Sequence, residues 1–408
     1  MKKHLFLVPL LALSLIATGC QKPLDATTIV VAGPATQEAF ITGRLAALKN
    51  SDSKWQNVTF EFANIGEDKI DSEVVDWTAT TAPDLFHFPS DKVLTLFQAS
   101  ALNKVPTDNA NWIDNNHTAA GISAATFANA KYGYPYAGDN GYFLHYNTDE
   151  LSASDVADVD TLLNKAAAAG KKVSFNFPEA FWGAGIMFSY GGKYEIDFAN
   201  NGQINSITTN FTSEAGKNAA NAAWRIMRHS AWQAGIAPTD GVPLVAASDG
   251  SWNVSSNIAA VGADSLAFAK LPRVKTDAGV EANMGSFLGC KLLGVNALKT
   301  GNNAQRIAAL HDVARWMSET ESQTLRFNTF QTAPTLKAVA ALPAVAANPA
   351  VKAINDQAAF ATAQTAVPPQ IWDGMATFMT ALQGMETYVA ENVDALLLAL
   401  HNTLITHN

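Results

Sequence analysis

Cysteine is almost absent from this chain: Cys20 and Cys290 are the only two among 408 residues. Charge is sparse too, at 15% of residues, and no basic block occurs anywhere, which leaves no electrostatic footprint for nucleic acid. The eight histidines are scattered without metal-ligand spacing, and one spare cysteine cannot build a metal site. A Gly-x-Ser-x-Gly elbow, a phosphate-binding glycine loop and a His-Glu-x-x-His pair are all missing. The motifs of serine hydrolases, nucleotide enzymes and zinc proteases are therefore not available. No apolar run reaches the about 18 residues of a membrane span; Leu396–Leu400 is short and sits among polar residues. Neither a metal nor a cofactor is expected.

What is present is a globular composition with a leader in front. Hydrophobic residues make up 48% of the chain, more than a disordered chain of this charge carries. Lys2 and Lys3 precede an apolar stretch from Leu5 to Ala17, then Ala17-Thr18-Gly19-Cys20. This is the grammar of an export signal, and the small residues before Cys20 resemble the lipobox of bacterial lipoproteins, with Ala17 where Leu is usual. The resemblance implies that residues 1–20 are removed, that Cys20 carries lipid, and that the protein is exported and held at the membrane surface rather than spanning it. Cys290 is then left without a partner, so the exported fold depends on its core and not on disulfides. The 388 residues after Cys20 suffice for two domains. Removing Lys2 and Lys3 takes the formal charge from −9 to −11.

Residues 21–27 read as a tether. Thr28–Ala32, Val58–Phe62 and Asp84–Phe88 have strand composition, with helices expected over about Thr36–Lys49 and Asp68–Thr78 between them. Strand–helix alternation implies βαβ units, a mostly parallel sheet, and a ligand beyond the carboxyl ends of its strands. The grammar recurs at Lys172–Asn176 and Val242–Ala247, separated by a helix expected over Ala215–Ala234. A helix is expected over about 302–328, short helices over the Ala-rich, Pro-punctuated segment 333–366, and a last helical region after Pro368-Pro369.

Four segments then carry a likeness. They are Pro83-Asp84-Leu85-Phe86-His87-Phe88-Pro89-Ser90-Asp91-Lys92; Tyr134-Pro135-Tyr136-Ala137-Gly138-Asp139-Asn140-Gly141, running on to His145-Tyr146-Asn147-Thr148-Asp149; Asn176-Phe177-Pro178-Glu179-Ala180-Phe181-Trp182 with Tyr190-Gly191-Gly192; and Ser248-Asp249-Gly250-Ser251-Trp252. In this order they resemble the extracellular solute-binding proteins of ABC importers, in the class of maltose- and maltodextrin-binding proteins. The resemblance implies an α/β, two-lobed periplasmic-binding-protein-like fold, each lobe a mostly parallel sheet flanked by helices, with the ligand cleft between lobes. It maps a first lobe to 28–137 and 290–333 and a second to 138–289 and 334–408. It implies a monomer without catalysis, whose partners are a carbohydrate, permease subunits and the membrane.

A neutral sugar needs flat aromatic surfaces for its C–H faces and polar side chains for its hydroxyls. Phe88, Asp91 and Lys92 are the candidates from the first lobe, Asp139 or Asn140 at the crossing, and Glu179, Phe181, Trp182 and Trp252 from the second. Trp372 or Met375 joins them from the C-terminal helix. Each has a plainer reading. Asp91 could cap a helix, Lys92 could be a solvated charge, and Asp139 could shape a turn. One of Phe181 and Trp182 is expected to pack, as is one of Trp372 and Met375; Trp224, Trp232 and Trp316 read as core. Phe88 and Lys92 stand where maltose-type proteins usually have Trp and Arg, and Lys lacks the fork of Arg. A polyamine, served by carboxylates and aromatics, is the rival ligand. A phosphate ester is disfavoured because none of the four segments contains Arg. Glycoside hydrolysis by Asp139 with Glu179 is a remoter alternative, and sensing would use the same site.

Overall fold

The computed structural model describes residues 24–235, 244–301 and 303–406. The leader, Cys20 and the start of the tether lie outside that range, as do the first two residues of the strand expected from Val242.

Runs rich in branched and aromatic residues become the parallel strands Thr27–Gly33, Val58–Asn64 and Leu85–Pro89. The helix Glu38–Ser51 lays Ile41, Leu45 and Leu48 against them. The helix expected over Asp68–Thr78 shrinks to Ile70–Glu73 and a 3-10 turn, Val74–Asp76. Asp, Ser and Val are weak helix formers, and burying Ile70 and Val74 suffices to hold the turn down. Ser90–Lys92 is likewise a 3-10 turn, and no side chain caps the helix Val93–Gln98 that follows. The capping reading of Asp91 is thereby set aside.

A second parallel trio consists of Trp232–Gln233, Lys172–Ser174 and Leu244–Gly250. One strand joins the two trios. Tyr134–Asn147 is 14 residues long, roughly 46 Å at about 3.3 Å per residue. Its first half pairs antiparallel with Ser286–Val295, which pairs antiparallel with Leu85–Pro89. Its second half pairs antiparallel with Leu244–Gly250 and Leu266–Ala269. Each lobe thus has the expected parallel strands, with an antiparallel crossing strand added at the junction. Both lobes belong to a single ten-stranded sheet.

The cores are separate. Ile29, Val31, Leu85 and Leu310 pack together in the first lobe. Phe175, Ile186, Ala223, Met379 and Leu397 belong to the core of the second, built from the helices Ala180–Phe188, Glu214–Arg228, Gln370–Gly384 and Ala390–Ile405. Two expected helices are shorter than their patterns. The one from Glu214 stops at Arg228, so Trp232 sits on a strand and donates its indole N–H to the Phe175 carbonyl at 2.9 Å. The one expected over 302–328 breaks at the extended Glu319 into Ala304–Ser318 and Thr320–Phe330. The Ala-rich stretch forms Lys337–Ala340, Pro343–Ala346 and Pro349–Ala358; in the last two, proline opens the helix, where its missing N–H costs nothing. Leu336, Val339 and Val345 cluster with Phe327 beside Trp112, so this segment packs on first-lobe helices although the expected boundary at 334 assigns it to the second lobe. The chain then returns as Ala361–Ala363, parallel to Ser286–Leu288. Among the described residues no helix is long and apolar enough to cross a membrane.

Trp224 is half-buried, donates to the Met385 carbonyl at 2.9 Å and meets Tyr388 edge-on at 5.6 Å. Trp224→Ala should lower stability by up to about 3–5 kcal/mol in urea unfolding. Ligand affinity of the folded fraction should stay unchanged, because Trp224 does not line the cleft described next.

Candidate functional site

The strand ends of both lobes open on a cleft of about 850 Å³. Its aromatic wall comes from the second lobe: Phe181 on the helix Ala180–Phe188, Trp252 in the turn after Leu244–Gly250, and Trp372 on the helix Gln370–Gly384. The Trp252 turn is held from three sides. Asp249 Oδ1 accepts from the Gly250 N–H at 2.7 Å and from Asn253 Nδ2 at 2.9 Å, while Asp249 Oδ2 accepts from Asn257 Nδ2 at 2.6 Å. Ser251 Oγ donates to the Asp139 carbonyl at 2.6 Å, tying the turn to the crossing strand. The indole lies so close over Gly250 that a Cβ there would come within 2.2 Å of it. Trp252 remains 39% exposed, an open aromatic face at the cleft.

The floor and opposite wall are polar. Asp139 and Asn140 come from one crossing strand and Lys291 from the other. Lys291 Nζ pairs with Glu67 Oε2, and Tyr136 donates its hydroxyl to Glu67 Oε1 at 2.6 Å. Arg326, on the helix Thr320–Phe330, reaches Asp139 Oδ2 at 3.5 Å and Gln37 Oε1 at 2.8 Å. Its guanidinium stands 4.7 Å from the Tyr136 ring centre and 5.1 Å from that of Phe330. Asn140 Nδ2 donates to Asp91 Oδ1 at 3.2 Å and to Gln364 Oε1 at 3.0 Å. Lys92 Nζ bonds Asp71 Oδ2 at 2.5 Å and lies 3.9 Å from Asp91.

Burial alone would raise the Glu67 carboxyl, but the charges of Lys291, Arg326 and His87 outweigh it and bring it down to about 2. Burial pushes Asp91 and Asp139 up, against the pull of Lys92 and Arg326 respectively. His87, in contact with Tyr136 and bonded to the Ala32 carbonyl, is pushed down to about 4 by burial and stays neutral at pH 7.

Of the sequence-predicted residues, Asp91, Lys92, Asp139, Glu179, Phe181, Trp252 and Trp372 line this cleft. Phe88, Trp182 and Met375 do not. Phe88 is fully buried beside Phe86, because its place in the strand turns it into the first-lobe core. Trp182 sits behind the wall, its ring 4.4 Å from Tyr142 and 6.3 Å from Trp252. Met375 lies one helical turn beyond Trp372 and faces the second-lobe core. Glu67, Lys291 and Arg326 were missed by sequence reasoning. The absence of Arg from the four segments is overturned as an argument, since Arg326 reaches the cleft from a helix outside them. Phe327 and Phe330 beside it were the available signal: an Arg among aromatics at a helix end, ahead of a Thr-Ala-Pro turn. A smaller cavity of about 360 Å³, lined by Trp112 and Trp316, contains none of the predicted residues.

Two α/β lobes linked by crossing strands, with an aromatic wall facing a polar one, define a solute-binding protein. The chain belongs to the family of bacterial extracellular solute-binding proteins, whose model matches residues 54–353. Among solved structures it is similar to one determined with acarbose, with 22% identity over 93% of this chain and 98% of that one and a TM-score of 0.79. It is similar as well to the maltodextrin-binding protein of L. casei BL23 without ligand, with 21% identity, 93% and 99% coverage and a TM-score of 0.76. A cyclo/maltodextrin-binding protein complexed with maltotetraose matches at 16% identity, 94% and 98% coverage and a TM-score of 0.72. No curated protein is matched by sequence.

The Lys291–Glu67 pair yields a test. Lys291→Met leaves Glu67 buried without its main counter-charge and should cost about 3–5 kcal/mol in stability. The pH dependence should reverse. In the wild type Glu67 titrates below its ordinary 4.5, so its contribution is present above that value and lost as pH falls through about 2. In the variant the buried carboxyl titrates above its ordinary value, so urea unfolding should show stability recovering as pH falls from 7 towards 5.

Proposed function

We propose that this chain captures a neutral oligosaccharide of α-glucan type in the interlobe cleft and delivers it to the permease of an ATP-driven importer. It acts as a monomer held at the outer membrane surface through lipidated Cys20. The observation that carries this reading is the pairing of three aromatic faces with a polar wall whose charges are internally compensated. Five carboxylates and four cations line the cleft. Lys291 answers Glu67, Arg326 answers Asp139, and Lys92 lies between Asp71 and Asp91. A polyamine would have to displace these cations, and a phosphate ester would have to compete with Asp139 for Arg326. A sugar demands neither: it stacks on the indoles and exchanges hydrogen bonds with the wall. The maltotetraose in one structural relative points to the same ligand class. Binding would select the closed arrangement of the lobes about the crossing strands.

Titration calorimetry with malto-oligosaccharides tests this. The expected dissociation constant is on the order of 1 μM or tighter, about −8 kcal/mol, nearly equal at low and high salt, with no sugar hydrolysed. Trp252→Ala should weaken binding about 30-fold or more, since truncating an anchoring aromatic costs at least about 2 kcal/mol. A protein stabilised only by spermidine or putrescine, with affinity falling as salt rises, would refute the carbohydrate assignment.

Anchoring is tested separately. Cells fed a clickable fatty acid should label the wild type and leave Cys20→Ala unlabelled; label retained by the variant would exclude Cys20 as the attachment site.

A further inference from the structure

Eleven buried side-chain polar atoms lack a hydrogen-bond partner among the described residues, and four belong to residues lining the one cleft. Ser255 stands on the second lobe. The other three converge on the first-lobe side: Asp139 Oδ1, Arg326 Nε and Thr332 Oγ1. All three residues are at most 4% exposed. Native proteins rarely leave such groups unpaired, because each costs the desolvation of a polar atom with nothing in return.

Their positions are set by the scaffold. The segment after the helix Thr320–Phe330 is fastened to the crossing strand, where the Gly138 N–H donates to the Ala333 carbonyl at 2.7 Å. Thr335 Oγ1 and Gln323 Nε2 both donate to the Pro135 carbonyl, at 3.0 and 3.1 Å. Thr332 is thereby held next to Asp139. Arg326 is held by Gln37 and Asp139 through its two terminal nitrogens and by the rings of Tyr136 and Phe330, leaving Nε as its spare donor.

We infer that Asp139, Arg326 and Thr332 form a specificity-determining subsite that reads a pair of adjacent hydroxyls on a neutral polyol. One hydroxyl donates to Asp139 Oδ1. Its neighbour accepts from Arg326 Nε, and Thr332 Oγ1 completes whichever bond remains. An anionic group is disfavoured there, because Asp139 and Glu67 already answer the nearby cations. This inference rests on the carbohydrate reading and specifies which part of the cleft discriminates among sugars.

Calorimetry of maltotriose and its monodeoxy derivatives tests it, using Arg326→Lys, which keeps the charge but loses Nε, and the near-isosteric Thr332→Val. Arg326→Lys should weaken maltotriose about tenfold or more, and Thr332→Val about threefold to tenfold. The sharper readout is coupling. A deoxy derivative that the wild type penalises should bind the matching variant as well as maltotriose does, while other deoxy positions keep their wild-type penalty; a general loosening of the cleft would not produce this. If the wild type binds maltotriose and both folded variants bind it within twofold, the subsite is refuted while the carbohydrate reading stands. If the wild type binds neither maltotriose nor maltotetraose, both fall together.

Discussion

At the centre of the molecule two long strands cross between the lobes side by side, and their antiparallel pairing continues one sheet through both. Backbone hydrogen bonds are satisfied along this join, but the side chains it carries are not all apolar. Asp139, Asn140 and Lys291 are buried where the lobes meet. A charge removed from water must be paired and hydrogen-bonded or it destabilises the fold. Glu67, Arg326, Asp91 and Gln364 meet that demand, each arriving from a different part of the chain. The floor of the cleft is thus part of what holds the two lobes in register.

The same constraint shapes recognition. Because the buried ions compensate one another, the cleft offers directional hydrogen bonds without a large field of either sign. Fixed donors and acceptors need little reorganisation when a ligand arrives, which favours affinity through preorganisation. The aromatic wall is built differently. Asp249, Gly250 and Ser251 hold Trp252 in an open position, and Phe181 packs against it from behind at 6.1 Å. Hydrogen bonding and stacking are thereby assigned to opposite sides of one space.

Local pattern carried the reading a long way where neighbours in sequence are also neighbours in space. The strands Thr27–Gly33, Val58–Asn64 and Leu85–Pro89 announce themselves by composition, and the Ser-Asp-Gly-Ser turn marks Trp252 as unlike a core tryptophan. Phe88 shows the limit. Alternation in a strand identifies two faces, but with both faces of Leu85–Pro89 buried nothing local says which one meets the cleft. Adjacent Phe181 and Trp182 posed the same problem, and only packing against Tyr142 separated them.

What the sequence by itself determined is the class: an α/β chain without disulfides, with aromatics and acids clustered just past strand ends and no catalytic or metal motif. Those features depend on residue type and short spacing, which the chain displays directly. Only the tertiary structure decided that Glu67, Lys291 and Arg326 belong to the cleft. Their roles come from pairings across 224 residues for Glu67 with Lys291 and 187 for Asp139 with Arg326. An isolated Lys or Arg in a helix or strand reads as a solvated charge. It becomes a buried one when folding brings its counter-charge within reach, and that distance is a property of the packed molecule.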